Sequence, residues 1–435
     1  MVAFAEGPTA DFFGPPGLPS LGAKITSKNP GPRRWWPMAS WKSTAFSFML
    51  LIVLAALAVG GVAGRQWWQA RTVRRDLALA RQHLDQGKPE MAEQILATRM
   101  ETSKPTSAWS AALVDLRFEA LEAMNDVTAE QMLAGQVLDE QRPWVRSGEP
   151  AWARAEIIQG RVALKAQQID QARQHFLRVL GQPQGAQGQA EAELGLARIE
   201  MAIGKVPEAK ARLDAMLETL AENHPVRAGV EHNLGLINTT MLLSREPFGE
   251  DEIYAVTKGD SIYKIARRFE VSQDLIMRVN QISDPSRLSI GRRLKIPRLD
   301  LSIVVDKSNN TLTLYNQGKF FKKYQVRTGE YDYQTPVGDF EVRTKKKDPA
   351  WTSPQTGKHY AAGDPENQLG TRWMGFSGNA SLGIHEAVDE SSIGTYSSNG
   401  CVGLARADVE ELYDLMRRGA PVKIVGEKAT PALKL

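Results

Sequence analysis

Residues 43–64 read STAFSFMLLIVLAALAVGGVAG, 22 positions without a single charge. As a helix at ~1.5 Å per residue the run would be about 33 Å long, enough to cross the hydrocarbon core of a bilayer. A soluble helix of that length shows a polar face, and this run has none. Trp35, Trp36 and Trp41 precede it, and Trp67 and Trp68 follow, as interfacial aromatic belts do. The apolar core of a cleaved signal peptide would be shorter and nearer the start. The expectation is a single transmembrane helix over 43–64, acting as an anchor, with residues 1–42 as a disordered tail rich in Pro and Gly. Lys24, Lys28, Arg33, Arg34 and Lys42 lie before the run, and Arg65, Arg71, Arg74 and Arg75 after it. Charge therefore leaves the orientation open.

A chain of 435 residues is too long for one core, so a multidomain protein is expected. The net charge is only +4, and no dense block of Lys and Arg suggests a nucleic-acid partner. The single cysteine, Cys401, excludes an intramolecular disulfide framework.

Residues 70–245 carry apolar residues at three- and four-residue spacing and few β-branched runs, the pattern of an all-α region. A phrase recurs in "GKPEMAEQIL", "QQIDQARQHF" and "GKVPEAKARL": a turn, then Ala92, Ala172 or Ala209, then Leu96, Phe176 or Leu213 four positions on. Small residues, Ala80, Gly160 and Ala197, stand twelve positions before each Ala. This resembles tetratricopeptide helix pairs, in which small residues let two helices approach closely. A protein partner for these repeats, or a spacer that lifts later domains from the membrane, would both follow.

At about residue 252 the texture changes. A short alternating strand, a turn at Gly259-Asp260, two amphipathic helices and a closing strand "RRLKIP" fill 252–298. The ordered phrases "V-x-x-G-D-S", "I-A-x-x-F", "V-S", "N" and "L-x-I-G-x-x-L-x-I-P" resemble a LysM module, a small α/β unit of βααβ order. The resemblance implies a shallow groove for glycan strands of peptidoglycan or chitin. By position it would be lined by Gly259, Asp260, Ser261 and Ile262 and by 283–288, including Asp284 and Leu288.

From residue 301 to about 426 short strands alternate with turn residues, suggesting a mainly-β domain, a small sandwich or barrel, before one amphipathic helix and a last strand. His385 and Cys401 stand sixteen positions apart here. A cysteine attacks as thiolate, and an imidazole can take its proton and return it to a leaving amine. Gly400 beside the thiol would let a carbonyl approach, with backbone N–H groups of Gly400 and Cys401 facing the oxyanion. Spacing alone does not separate this from a small buried cysteine.

The phrases around the pair add more. "IHEAVDESSIGTYSSNGC", "VVDKSNNTLTLYNQGK", Thr328-Gly329, "TPVGDF", "LGTRW" and "DVEELYDLMRRGAPVKI" are similar to the L,D-transpeptidase catalytic domain of the YkuD type. The resemblance implies Cys401 as acylated nucleophile and His385 as base and acid. It implies that a backbone carbonyl at Glu386 orients the imidazole, that Ser398 braces the cysteine loop, and that Gly400 and Cys401 supply the oxyanion environment. The implied reaction releases D-Ala from a tetrapeptide stem and joins the acyl group to another stem in a 3→3 cross-link. Hydrolysis, attachment of a protein to the wall, or a non-catalytic wall-binding scaffold are the alternatives. No metal or cofactor is called for, and carbapenems are the expected covalent inhibitors.

Two positions depart from the family pattern. Gly403 stands where Arg or Asn is common, and Glu386 where Gly is frequent. Glu386, Asn399, Gly403 and Arg406 are the substrate-binding candidates, with Arg406 the residue to stand in for the side chain missing at 403. His359, the other histidine of this domain, matches no family position and is expected to be structural. Peptidoglycan lies outside the inner membrane of bacteria, so the tail would be cytoplasmic and the LysM and catalytic domains periplasmic.

Overall fold

The computed structural model describes residues 67–427 except 104–108, 141–143, 184, 331–333 and 354–355, together with residues 49, 61 and 64. The expected tail and almost all of the expected anchor lie outside the described residues. Among the described residues no helix is long and apolar enough to cross a membrane. Val73 onward forms one compact unit.

After helical residues 73–85 come α1 (Pro89–Thr102), α2 (Ser110–Ala123), α3 (Val127–Val137), α4 (Pro150–Lys165), α5 (Ile169–Leu180), α6 (Gln189–Ala202), α7 (Val206–Thr219) and α8 (Arg227–Leu243). Pro opens α1 and α4, where its missing N–H costs nothing. Consecutive helices pack on one another around the residues of the recurring phrase. Ala80, Ala92, Leu96, Ala172, Phe176, Ala197, Ala209 and Leu213 are all fully buried. Phe176 shows why small residues are needed. A Cβ on Gly160 would lie 2.6 Å from its ring, and one on Gly195 would lie 2.5 Å from it. Both positions must lack a side chain for the ring to fit between α4 and α6.

The next module pairs β1 (Glu252–Ala255) antiparallel with β2 (Arg293–Ile296), and α9 (Ile262–Arg268) and α10 (Gln273–Val279) lie between them in sequence. It has its own core of Val256, Ile262, Ile265, Ala266, Val271, Ile276, Ile282, Leu294 and Ile296. Asn280 fastens helix to strand. Its Nδ2 donates to Ile276 O (2.9 Å) and Lys295 O (2.8 Å), and its Oδ1 accepts from Lys295 N (2.8 Å).

The last domain holds β3 (Leu301–Asp306), β4 (Thr311–Asn316), β5 (Lys319–Gln325), β6 (Thr328–Gly329), β7 (Gly338–Lys347), β8 (Trp351–Thr352), β9 (His359–Tyr360), β10 (Arg372–Phe376), β11 (Gly383–Glu386), β12 (Tyr396–Ser398), β13 (Val402–Leu404), α11 (Arg406–Leu415) and β14 (Pro421–Val425). Eight strands form one mixed sheet in the order β13-β11-β10-β7-β14-β3-β4-β5. An isolated bridge from Arg327, just beyond β5, to Gly403 of β13 links the two ends of this order. β12 pairs with β6, and β8 with β9, as separate two-stranded pieces.

The modules are joined by specific contacts. β5 ends the sheet, and α8 covers it: Asn238 Nδ2 donates to Phe321 O at 2.9 Å, and Lys323 meets Glu231 at 2.6 Å. Covering an edge strand removes a template for unwanted pairing. The buried Lys295 ammonium donates to carbonyls at the end of α8, Leu242 O (3.2 Å) and Ser244 O (3.0 Å), and pairs with Asp251 at 3.0 Å. Asp274 on α10 pairs with Lys345 (3.3 Å) and Lys347 (2.8 Å) of β7. The helical region is therefore docked on the sheet through α8, a contact its periodicity did not reveal.

Candidate active site

The site forms where β11 and β13 run parallel at one end of the sheet, Ile384 opposite Val402 and His385 opposite Gly403. A Cβ on Gly383, the first residue of β11, would lie 2.4 Å from Met374 O and 2.8 Å from the Trp373 ring of β10. Trp373 is the cross-strand partner of His385, with ring centroids 6.1 Å apart.

His385 is buried, and its Nδ1 lies 2.7 Å from Glu386 O. A carbonyl only accepts, so the ring proton sits on Nδ1 and Nε2 carries the lone pair. Burial, and next the Arg327 guanidinium, push the His385 pKa down to about 4, against the raising effect of the Glu386 and Gln368 backbone contacts. The imidazole is neutral at pH 7.

Residues 398–401 form a tight loop held by one hydroxyl. Ser398 Oγ donates to Cys401 O at 2.6 Å and accepts from Gly400 N at 3.2 Å. Gly400 has φ +101°, in the region that disfavours a Cβ. Its N–H is bound to the Ser398 hydroxyl. Asn399 is exposed at the tip. Cys401 Sγ donates to Ser381 O at 3.2 Å. Burial raises the thiol pKa, while the Gly383 backbone and the Arg327 charge oppose that rise. Thiol and imidazole are thus both neutral at rest, not a thiolate–imidazolium pair.

Residues 327–330 hold both ends of this loop. Arg327 N donates to Gly403 O (2.9 Å), Gly403 N donates to Arg327 O (3.0 Å), and Glu330 N donates to Ser398 O (2.9 Å). This segment is fixed in turn by Thr328 Oγ1 on Asn310 Oδ1 (2.6 Å) and by Gly329 N on Thr335 Oγ1 (2.8 Å). The phrases "SNN", "TG" and "TPVGDF" are thus parts of one bracket around the cysteine loop.

Two candidates have other duties. Glu386 is buried and accepts from Thr371 N (2.8 Å) and Arg406 Nε (2.9 Å). Burial raises its pKa, but the Thr371 N–H and the Arg406 guanidinium outweigh this and hold it below the usual carboxylate range. Its carboxylate is taken up by these contacts, and Arg406, the expected stand-in for a side chain at 403, turns its Nε to Glu386. Arg327 was missed from the sequence. The only clue was an Arg just before Thr328-Gly329, and nothing local tied it to a residue 76 positions later. His359 is exposed in the β8–β9 pair, its Nδ1 3.1 Å from Thr352 Oγ1.

In the LysM-like module the Asp260 carboxylate organises the 257–260 turn, accepting from Thr257 N (2.7 Å), Thr257 Oγ1 (2.9 Å) and Tyr254 OH (2.8 Å). Ser261 caps α9 by accepting from Lys264 N at 3.2 Å. Gly259 has φ +88° and open space at its Cβ position. Asp284 accepts from Ser286 N (2.9 Å), and Leu288 packs half-buried on the module's core. Ile262 is 1% exposed. It is a core residue and cannot line a surface groove. Among the described residues no cluster of His, Cys, Asp and Glu could hold a metal ion.

Two of these modules match known families. Residues 300–424 match the L,D-transpeptidase catalytic domain, YkuD, and residues 254–297 match the LysM domain. The Bacillus subtilis protein named "Putative L,D-transpeptidase YqjB" is 33% identical over 132 residues, covering 29% of this chain and 73% of that protein. The same organism's "Putative L,D-transpeptidase YkuD" is 29% identical over 177 residues, covering 39% of this chain and 97% of that protein. A solved L,D-transpeptidase from Mycobacterium smegmatis aligns over 32% of this chain and 64% of its own, at 19% identity and a TM-score of 0.25. By the identity and coverage of the first of these, this chain belongs to the L,D-transpeptidase family.

Proposed function

We propose that Cys401 and His385 carry out acyl transfer on peptidoglycan stem peptides. His385 Nε2 takes the Cys401 proton as sulfur attacks the carbonyl of residue 3 in a tetrapeptide stem. The C–N bond to D-Ala then breaks, and the imidazolium returns the proton to the departing amine. The resulting thioester is attacked by the side-chain amine of a second stem, which forms the 3→3 amide and restores the thiol. Ser398 shapes the loop, and the Cys401 N–H is the oxyanion donor left once Gly400 N is bound to Ser398. The observation that carries this reading is the His385 Nδ1 contact to Glu386 O, which presents a neutral Nε2 base on the strand beside the cysteine.

The domains divide as 70–245 tetratricopeptide-like, 252–298 LysM and 301–426 catalytic. The LysM module holds glycan weakly through Gly259, Asp260, Ser261 and the 283–288 segment, and so concentrates stems near Cys401. The uncharged run 43–64 anchors the chain in the inner membrane, with 1–42 cytoplasmic and the catalytic domain periplasmic. The helical region serves as a scaffold for a protein partner, its α8 face being already taken by β5.

Product analysis tests the reaction. The purified chain, incubated with a disaccharide tetrapeptide, should release D-Ala and form a 3→3 dimer. Release of D-Ala with tripeptide as the sole product would make the enzyme a hydrolase. No release at all would favour the non-catalytic scaffold.

A further inference from the structure

Gly403 is not among the residues with positive φ, so its backbone conformation would admit any side chain. Space is what forbids one. A Cβ at 403 would lie 2.6 Å from Arg327 Nε, 2.8 Å from its Cγ and 3.2 Å from its Cδ. A side chain at 403 and Arg327 in its present place are mutually exclusive. The family position that this chain leaves empty is filled from another segment by a guanidinium.

That guanidinium is poorly satisfied. Arg327 Nη1 donates to Ser392 Oγ at 3.3 Å, but Arg327 Nε is buried and has no partner among the described residues. Asp389 acts on Arg327 through its field, against the stronger effect of burial. Arg406, on the following helix, is the contrast, since it is paired to Glu386. A half-buried cation with an orphaned donor is costly unless something anionic arrives. Its field already reaches Cys401 and His385.

We propose that Arg327 binds the free α-carboxylate of the donor stem, on the D-Ala that leaves. This rests on the transpeptidase reading above. In such a donor the carboxylate sits one residue beyond the bond that Cys401 attacks, and it is a permanent anion, suited to a permanent cation. A guanidinium fork grips a carboxylate through two parallel N–H···O bonds, which fixes direction as well as affinity. Binding would also offset the charge that weakens His385 as a base, so the imidazole strengthens when the correct donor is seated.

The test compares acylation of the purified chain by a tetrapeptide donor ending in free D-Ala and by its C-terminal carboxamide. The variants are Arg327→Ala, Arg327→Gln and the exchange Arg327→Ser with Gly403→Arg. Wild type should prefer the acid by about 10–100-fold in kcat/KM. Arg327→Ala and Arg327→Gln should lose that preference, chiefly through KM on the acid. The exchange should recover part of it, because the guanidinium introduced at position 403 then occupies the space that the native one has left. An unchanged acid-to-carboxamide ratio in the folded Gln variant overturns the proposal, as does an equal loss on both donors. If wild type is acylated by neither donor, the transpeptidase reading fails, and this inference fails with it.

Discussion

The Ser398 hydroxyl lies 2.6 Å from the Cys401 carbonyl oxygen and 3.2 Å from the Gly400 nitrogen, closing the loop that presents the thiol. Ser398→Ala removes both bonds and leaves a buried N–H without its acceptor. We expect a loss of about 1–3 kcal/mol in stability. Acylation should slow by roughly 10–100-fold, since a misplaced nucleophile forfeits orientation. Thermal unfolding and single-turnover acylation read the two effects separately.

The neutral His385 makes a pH prediction. Its folded pKa of about 4 lies below the ordinary histidine value of 6.5. Between these values the unfolded chain binds the proton and the folded chain does not. Stability from this group is therefore complete above pH 6.5, falls as pH drops towards 4, and levels off below. The total is roughly 3 kcal/mol at ~1.4 kcal/mol per tenfold. Urea unfolding at about pH 7 and about pH 4.5, either side of most of this titration, should show the loss in wild type and a smaller one in His385→Gln. The acid limb of acylation should likewise fall near pH 4 and not near 6.5.

Glu386 and Arg406 should behave as framework. Arg406→Ala is expected to acylate within about 3-fold of wild type, because Thr371 N still has its acceptor. Glu386→Ala removes that acceptor and should cost about 1–3 kcal/mol. Equal damage to catalysis from both, measured as kcat/KM on one donor, would contradict this division.

Phe176 between Gly160 and Gly195 is the critical contact of the helical region. Phe176→Ala should cost about 3–5 kcal/mol by leaving a cavity. Gly160→Val should also destabilise, because its side chain would overlap the Phe176 ring. Calorimetry of the purified chain checks both.

Local pattern carried much of this protein. The small residues Ala80, Gly160 and Ala197 and the bulky Leu96, Phe176 and Leu213 were legible because helix packing repeats in sequence. The βααβ module was legible because its capping serine, its Gly259 turn and its Asn280 clasp each act over short separations. Cys401 and His385 could be picked out through the phrases that flank them. What stayed hidden depends on contacts between distant segments. Glu386 looked like a substrate group because nothing nearby announces that Thr371 and Arg406 will occupy it. Ile262 looked like a groove residue because a turn-to-helix junction does not show which side of the chain faces the core. The unusual glycine at 403 adjoins the Arg327 side chain, a contact that the order of residues does not disclose.

The central claim is that Cys401 is acylated by a stem peptide. The most direct measurement is the intact mass of the purified chain after brief exposure to a tetrapeptide donor. We predict a gain equal to the tripeptide acyl group, with release of D-Ala, and no gain in Cys401→Ala. An unchanged mass in wild type, or the same gain in Cys401→Ala, would contradict it.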